Sequence, residues 1–382
     1  MRDVLNMKIL YNIAGTYRSG GMERVLANKV NWLVENGFDV VIATTDQRGR
    51  PAFFSMDERV RCYDLDINYE ENNNGTLLKK ILHFPKKQIL HRKRLLDLLS
   101  LEKPDITISM FCNDVNFITA LKDGSKKVLE IHFAKFKRLQ YGRKGLWGIA
   151  DVLLSKLDEF SVRKFDRFVV LTAEDETNWG NLENIVVIPN ALTFVPQIQS
   201  SLEHNKVIAI GRLTYQKGFD RLIRSWRIVH EEYPEWQLDI VGGGEDLEYL
   251  SSLIKEYRLQ DVVHLLPPTE EIDKVYMKSS LLVMTSRYEG FGLVLTEAHS
   301  FGVPTVAFNC KCGPSDIILD GENGYLVDEG DIEDLADKVI ALIKDEKLRK
   351  QMGAAAYKNS ERFSEERVMR QWVELFNDVC KR

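Results

Sequence analysis

The chain has 382 residues, of which 44% are hydrophobic and 29% charged. A chain of this length is too long for a single hydrophobic core, so we predict two domains of roughly 180 residues each. The sequence has no stretch of about 18 apolar residues and no apolar signal region near Met1, which argues against a membrane-spanning or secreted protein and predicts a cytoplasmic one. The net charge of −5 and the lack of a recognised nucleic-acid module argue against nucleic acid as a partner.

The charge and the cysteines are distributed unevenly. Residues 1–195 carry 29 basic and 25 acidic side chains, whereas residues 196–382 carry 23 and 32, so the amino-terminal half is the basic one. The five cysteines are scattered, and Cys310 and Cys312 lack the second pair that a zinc site needs. Reduced thiols and no metal site are therefore expected.

The amino-terminal half begins in the way that a doubly wound α/β domain does. A predicted strand at residues 7–13 leads to the Gly20-Gly21 loop, a helix to about Glu35 and a second strand at residues 38–43. Because Gly20-Gly21 does not match G-x-G-x-x-G, a nicotinamide site is only weakly supported. Further buried strands are predicted at residues 106–110, 127–131 and 168–171.

One histidine in this half follows a predicted strand directly. His132 comes after residues 127–131 and so lies at the edge where open α/β sheets place ligand groups. A lone histidine is also commonly a packed or surface residue, and both interpretations remain open.

Two basic segments of the same half contain interleaved apolar side chains. The first has Lys79, Lys80, Lys86, Lys87, Arg92, Lys93 and Arg94, and the second has Lys135, Lys137, Arg138, Arg143 and Lys144. Such mixtures favour an anionic membrane surface, because each Lys or Arg near it contributes about 1 kcal/mol. A solvated basic face is the ordinary alternative.

The second half restarts the strand and helix pattern after a predicted linker at residues 193–205. A strand at residues 206–210 is followed by a loop with Arg212 and Lys217, and then by an amphipathic helix. Two cations at the carboxyl end of a strand are well placed to neutralise a diphosphate. Surface cations without a ligand are the alternative.

A second glycine turn follows the predicted strand at residues 281–284. Gly290 and Gly292 flank Phe291, and a helix is predicted to begin near Leu293, so free N–H groups and a positive helix end would face one point. An anion is the natural ligand there. Glu289 and Glu297 would accept hydrogen bonds from the hydroxyl pairs of a sugar, unless both are simply solvated.

The segments already quoted resemble the family 4 retaining glycosyltransferases, which have the GT-B fold. The resemblance rests on Gly20–Val25, on Gly211-Arg212-Leu213 with Lys217-Gly218, and on Glu289-Gly290-Phe291-Gly292-Leu293 with Glu297-Ala298. It spans nearly the whole chain. It implies two doubly wound Rossmann-like α/β domains that face a central cleft, here residues 1–195 and 196–362, with residues 363–382 as a helix that packs back on the first domain.

The resemblance also implies roles for individual residues. Arg212 and Lys217 would hold the donor diphosphate, Glu297 the ribose hydroxyls and Glu289 the hydroxyls of the transferred sugar. The N–H groups of Gly290, Phe291, Gly292 and Leu293 would bind the phosphate and the sugar. Thr269 would lie near the base, Gly21 would let the first-domain loop approach the donor, and His132 would contact the sugar.

The implied reaction is hexose or N-acetylhexosamine transfer from a nucleotide diphosphate sugar, UDP-linked, to a glycan or lipid-linked glycan acceptor. The implied pathway is bacterial surface polysaccharide synthesis, as in capsule or exopolysaccharide, at the inner membrane face. Configuration would be retained, and neither metal nor cofactor would be needed, since the nucleotide sugar is a co-substrate. The alternatives are a nucleotide-sugar epimerase or sugar phosphorylase of the same fold, and a non-catalytic two-lobed sugar-binding protein.

Overall fold

The computed structural model describes residues 7–72, 77–140 and 145–381, and the described chain forms two compact units. The first unit comprises residues up to Ala191 together with the segment from Glu366, and the second comprises Leu192–Glu365. The first boundary therefore lies four residues before the predicted one at 195, and the return to the first unit lies three residues after the predicted one at 362.

The first unit is a parallel sheet in the strand order β3-β2-β1-β4-β5-β6-β7. Its central strands are short aliphatic runs buried on both faces, which is typical of parallel sheets between helical layers. The elements are β1 Lys8–Ile13, α1 Gly21–Glu35, β2 Asp39–Thr44, β3 Arg61–Asp64, α2 Leu77–Glu102, β4 Ile106–Ser109, β5 Lys126–Glu130, α3 Lys137–Gln140, α4 Leu146–Val162, β6 Arg167–Val170, α5 Ala173–Trp179 and β7 Ile185–Val187.

The second unit is also a parallel sheet, in the order β10-β9-β8-β11-β12-β13. Its elements are β8 Lys206–Ile210, α6 Phe219–Glu232, β9 Gln237–Val241, α7 Leu247–Glu256, β10 Val263–Leu266, α8 Ile272–Met277, β11 Leu281–Met284, α9 Leu293–Ser300, β12 Thr305–Phe308, α10 Pro314–Ile317, β13 Gly324–Val327, α11 Ile332–Lys344 and α12 Glu346–Ser360. In each sheet the strand order reverses beside the first strand, between β1 and β4 and between β8 and β11. Open α/β sheets bind ligands at the carboxyl ends of such a pair.

The last helix, α13 (Glu365–Lys381), completes the core of the first unit. Its apolar residues recur at helical spacing and form one buried face, which packs with α1 and the first sheet. The buried residues of that face are Val368, Met369, Trp372, Leu375, Phe376 and Val379.

Two details differ from the sequence-based expectations. The edge strand β3 was not predicted, because its sequence Arg-Cys-Tyr-Asp has no apolar run. In the structure this strand is partly exposed. The predicted linker at residues 193–205 forms part of the second unit, where Phe194 packs against Tyr276 and Phe301. Over the described ranges, no helix is long and apolar enough to cross a membrane.

Candidate functional site

Most of the predicted donor residues of the second unit, from Arg212 and Lys217 to Glu289 and the glycine turn, lie in the loops that follow β8 and β11. These two strands are paired in parallel, with Leu282 opposite Ile208, and they flank the reversal of strand order. Both loops therefore leave the sheet at its carboxyl edge and at the same point. The fold places Lys217 and Glu289, which are 72 residues apart in the chain, side by side there.

Hydrogen bonds to backbone carbonyls fasten the two loops to each other. The N–H of Arg287 donates to the carbonyl of Gln216 at 2.8 Å, and Nε2 of Gln216 donates to the carbonyl of Tyr288 at 3.1 Å. The hydroxyl of Thr285 donates to the carbonyl of Lys217 at 3.1 Å. These bonds fix the backbone from which both site residues project.

Gly218 is required by the close approach of the two loops. Its φ of +64° is in the left-handed region, and a Cβ built there would lie 2.2 Å from the carbonyl oxygen of Thr285. Only glycine therefore fits at this position, between the 3₁₀ turn Tyr215–Lys217 and α6.

Lys217 and Glu289 form the central contact of the site. Nζ of Lys217 lies 2.6 Å from Oε1 of Glu289, and the hydroxyl of Ser286 donates to the same oxygen at 2.6 Å. The Lys217 side chain is 16% exposed and the Glu289 side chain is 8% exposed. A partly desolvated cation beside a carboxylate can bind a negatively charged group and a sugar hydroxyl together.

Arg212 has a different environment from Lys217. It is exposed, and no described residue forms an ion pair or hydrogen bond with it, so its guanidinium remains available to a ligand. Arg287, by contrast, donates to both carboxylate oxygens of Asp220 at 3.0 and 2.8 Å and lies 4.0 Å over the ring of Tyr215. Arg287 therefore serves to hold the loop, a role that the sequence analysis did not assign.

The glycine turn before α9 has the geometry that was predicted for it. Gly292 has a φ of +94° and precedes the first helical residue, Leu293. Phe291 is buried and packs edge to face on Phe363 at 5.6 Å between ring centroids, so its side chain anchors the turn and only its backbone can meet a ligand. Gly290 lies between this anchor and Glu289.

Glu297 lies inside α9, where two hydroxyl groups donate to its carboxylate. Its Oε1 accepts from the hydroxyl of Thr193 at 2.6 Å and its Oε2 from the hydroxyl of Tyr276 at 2.9 Å. A carboxylate has about four lone-pair positions, so it can accept several hydrogen bonds at once. The sequence analysis missed both hydroxyl partners, because they lie 104 and 21 residues away.

Thr269 occupies the exposed loop after β10, two strands away from β8. Its hydroxyl accepts from the N–H of Glu271 at 3.1 Å. Pro268, beside it, lies 3.5 Å from the position of a Cβ built on Gly243, so the loops after β9 and β10 are adjacent. No described contact joins Thr269 to Lys217 or Glu289.

The two remaining predicted residues belong to the first unit. Gly21 is the exposed first residue of α1. His132 follows β5, and its Nε2 lies 3.0 Å from Oε1 of Glu130, whose carboxylate also contacts Nζ of Lys29. The fold thus divides the predicted residues between two units.

The described side chains offer no cluster suited to a metal ion. In the ranges 7–72, 77–140 and 145–381, no group of three or more His, Cys, Asp or Glu side chains is arranged to hold a metal ion. No disulfide bond joins any of the five cysteines, all of which lie within the described residues.

Comparison with known proteins places this site in a family. Residues 193–359 match the model of the glycosyl transferases group 1. An uncharacterized glycosyltransferase of Haemophilus influenzae is 30% identical over 370 residues, which are 96% of this chain and 98% of the relative. The amylovoran biosynthesis glycosyltransferase AmsD of Erwinia amylovora is 29% identical over 382 residues, 97% and 99% of the two chains.

A solved structure shows the same fold over the whole chain. The pneumococcal O-GlcNAc transferase GtfA, in complex with UDP and GlcNAc, matches with a TM-score of 0.76 at 17% identity and covers 98% of this chain and 99% of its own. The predicted GT-B fold, with two Rossmann-like α/β domains, is thereby confirmed.

Proposed function

The chain belongs to the glycosyl transferases of group 1, and from this premise we propose that it is a retaining glycosyltransferase acting on a UDP-linked hexose or N-acetylhexosamine. The acceptor is a glycan or a lipid-linked glycan of bacterial surface polysaccharide synthesis. Two comparisons support these choices: the relative from Erwinia amylovora is named for amylovoran biosynthesis, and the pneumococcal structure contains UDP and GlcNAc. Neither the epimerase nor the sugar-binding alternative has support from the names of the relatives.

The observation that carries the proposal is the contact between Lys217 and Glu289 at the switch point of the second sheet. A diphosphate bound there would face Lys217, the exposed Arg212 and the N–H groups at the start of α9. The hydroxyls of the transferred sugar would donate to Glu289. One site would then recognise both chemical parts of a nucleotide sugar.

The proposed reaction breaks the bond between the anomeric carbon and the diphosphate oxygen. The electron pair leaves with UDP, whose added negative charge Arg212 and Lys217 stabilise, and such electrostatic stabilisation is usually the largest catalytic term. The acceptor hydroxyl attacks from the face that UDP leaves, forms the new glycosidic bond and gives its proton to the leaving phosphate. Retention follows without a carboxylate nucleophile.

The other predicted residues complete the proposed site. Glu297, which Thr193 and Tyr276 orient, accepts from the ribose hydroxyls. Thr269 lies near the base, while Gly21 and His132 act from the first unit, where His132 contacts the sugar. The backbone of Gly290, Phe291, Gly292 and Leu293 donates to the phosphate and the sugar.

Neither a metal ion nor a cofactor has a role in this proposal. Arg212, Lys217 and the start of α9 supply the positive charge that a divalent cation would otherwise bring to the diphosphate. Turnover in the presence of EDTA should equal turnover with added Mg²⁺. A strict requirement for Mg²⁺ would contradict this part of the proposal.

The function is tested with a panel of nucleotide sugars. Purified protein should release UDP slowly from one or more of UDP-glucose, UDP-galactose, UDP-N-acetylglucosamine and UDP-N-acetylgalactosamine, because water replaces the absent acceptor. An α-configured sugar released first from an α-linked donor would support retention. Conversion of the donor into its epimer, or binding without turnover, would replace the proposal with one of the two alternatives.

A second proposal concerns an anionic membrane surface as a partner of the first unit. Helix α4 exposes an apolar stripe, with Leu153 at 57%, Leu157 at 55% and Phe160 at 61% of full exposure. The exposed charged side chains from α4 to the start of β6 are three cations, Lys156, Arg163 and Lys164, and one acid, Asp166. An apolar helix face with cations beside it is typical of helices that lie in a membrane interface.

Some cations of the basic segments predicted from the sequence form ion pairs within their own unit, whereas Lys86, Arg92 and Lys93 are exposed. Lys87 and Arg94 pair with acidic residues of their own unit, and Lys135 pairs with Glu159 at 2.8 Å. Arg143 and Lys144 lie outside the described residues, as do the side chains of Lys79, Lys80 and Arg138. We propose that α4 forms one part of a membrane contact at the inner face of the membrane, to which the exposed cations of the first basic segment would add.

A further inference from the structure

We propose that Glu130 is a positioning residue for His132, and that a buried ion pair with Lys29, covered by Trp372, holds Glu130 in place. The proposal rests on the sugar-contacting role proposed for His132. It adds residues from α1, β5 and α13 to the machinery of the first unit. None of them was a candidate from the sequence.

The strand geometry brings Glu130 and His132 to the same side of the sheet. They are two residues apart at the carboxyl end of β5, and side chains two apart in an extended chain point the same way. Nε2 of His132 lies 3.0 Å from Oε1 of Glu130, a close polar contact that lacks the geometry of a hydrogen bond. The carboxylate therefore restricts the imidazole at the edge where the ligand is expected.

Lys29 fixes that carboxylate from the helix side. Its ammonium contacts Oε1 of Glu130, and the side chains of the two residues are only 5% and 1% exposed. Burial alone would raise the pKa of Glu130, but the charge of Lys29, with a smaller contribution from His132, lowers it to about 2. Glu130 thus stays ionised at neutral pH and keeps its hold on both partners.

The carboxyl-terminal helix closes the ion pair from water. Nζ of Lys29 lies 3.7 Å from the ring centroid of Trp372 on α13 and 5.9 Å from that of Tyr11 on β1. Aromatic faces attract a cation most strongly where water is excluded. A helix more than 200 residues away in sequence thereby completes the support of His132.

Stability alone gives little reason for this arrangement. A buried ion pair can often be replaced by apolar residues of similar volume with no loss of stability. Here Oε2 of Glu130 and the hydroxyl of Tyr11 are buried without a hydrogen-bond partner among the described residues, which adds to the cost. Charged groups that are kept at such a cost beside a candidate site point to a functional role.

The test separates positioning from stability with a double variant. Lys29→Met alone leaves a buried, uncompensated carboxylate and should lower both the melting temperature and kcat for UDP release from the best donor of the panel. Lys29→Met with Glu130→Leu should regain the melting temperature, while kcat stays about tenfold to a hundredfold below the wild type. KM for the donor should remain within about twofold, because ground-state binding is little affected.

A cycle with His132→Ala identifies the route of the effect. If Glu130 acts through His132, adding Glu130→Leu to His132→Ala should change kcat by less than about twofold, since the two residues act as a unit. The matched control removes the Lys127–Asp123 ion pair, which is also buried but lies at the opposite end of β5. Lys127→Met with Asp123→Leu should leave kcat unchanged.

Three results would overturn the proposal. The double variant could regain kcat together with the melting temperature, which would make the ion pair purely structural. Glu130→Leu could lower kcat equally with and without His132, which would make its effect independent of the histidine. His132→Ala could retain the wild-type rate, which would show that His132 has no role in the reaction. The proposed function would be unaffected by that result, because it depends on turnover of the UDP-sugar by the wild type.

Discussion

Nζ of Lys217 lies 2.6 Å from Oε1 of Glu289, and this contact joins the loops that leave the two strands at the switch point of the second sheet. We predict that Lys217→Ala and Glu289→Ala each lower kcat for sugar transfer or donor hydrolysis by about a hundredfold to a thousandfold. Lys217 would no longer stabilise the leaving diphosphate, and Glu289 would no longer hold the sugar.

The control for this prediction is Lys344→Ala, an exposed lysine at the carboxyl end of α11 in the same unit. It should leave kcat unchanged. Circular dichroism and thermal melting should show all three variants folded. Near-normal rates for both site variants would remove this site from the reaction.

Arg212 and Arg287 should separate catalysis from stability, because only Arg287 of the two has ion-pair and hydrogen-bond partners among the described residues. Arg212→Ala should raise KM for the donor and lower kcat without changing the melting temperature. Arg287→Ala breaks a two-pronged ion pair with Asp220 and should cost about 1.5 to 3 kcal/mol in the free energy of unfolding.

Urea unfolding and steady-state kinetics on the two variants check this assignment. Arg212→Lys should recover part of the activity, since a point charge replaces a bidentate fork. An Arg212→Ala protein that is as active as the wild type would show that the exposed guanidinium does not meet the diphosphate.

The sequence predicted much of the second unit because its signals are local. Lys217, Gly218, Glu289 and Gly292 lie within short glycine turns that follow buried apolar strands, and such turns have recognisable chemistry. Ser286 could have been found in the same way, since it precedes Glu289 by only three residues.

The partners that orient the site residues were not predictable, because they come from distant parts of the chain. Thr193 reaches Glu297 across 104 residues, and Lys29 reaches Glu130 across 101. Thr193 was expected in a linker, since polar residues and a proline follow it in the sequence. Only the fold brings such hydroxyl and ammonium groups to a carboxylate.

Gly218 offers a test of the loop contact that holds the donor site. Gly218→Ala should destabilise the second unit through its left-handed φ, by about 1 to 2 kcal/mol, and further through the clash with the carbonyl of Thr285. Gly330→Ala is the matched control, because its φ is +91° but its nearest neighbour, Arg221, is 4.0 Å away. Urea unfolding of the two variants gives their losses in the free energy of unfolding, and the difference between these losses measures the clash. Equal losses would contradict the close approach of Gly218 to Thr285.

His299 should make the stability of the second unit depend on pH. Burial lowers its pKa to about 3, with a smaller contribution from the charge of Arg362. The folded state thus favours the neutral imidazole, so the stabilisation is complete above the unfolded pKa of about 6.5 and is lost as the pH falls below it. Between pH 7 and pH 5 this histidine should cost about 2 kcal/mol in the free energy of unfolding.

Urea unfolding at the two pH values checks the dependence, with His299→Asn as the comparison. The variant should lose the His299 part of the pH dependence, whatever its absolute stability. His91 in the first unit, whose pKa burial lowers to about 4, should still contribute. An equal pH slope in the variant and the wild type would show that His299 is not the group responsible.

The exposed stripe of α4 leads to a prediction about membrane binding. Replacing Leu153, Leu157 and Phe160 together by serine should abolish sedimentation with vesicles of phosphatidylcholine and phosphatidylglycerol. Each Å² of apolar surface that is buried in the membrane contributes about 25 cal/mol to the binding free energy, and the serine variant loses this contribution. Replacing Lys156, Arg163 and Lys164 by glutamine should weaken binding at low salt but leave a salt-independent remainder. The control exchanges Leu247 and Tyr249, which are 47% and 49% exposed on α7 in the other unit, for serine. The melting temperature should hardly change, because every substituted side chain of the stripe is already exposed. If the triple serine variant still bound vesicles, the membrane contact would lie elsewhere.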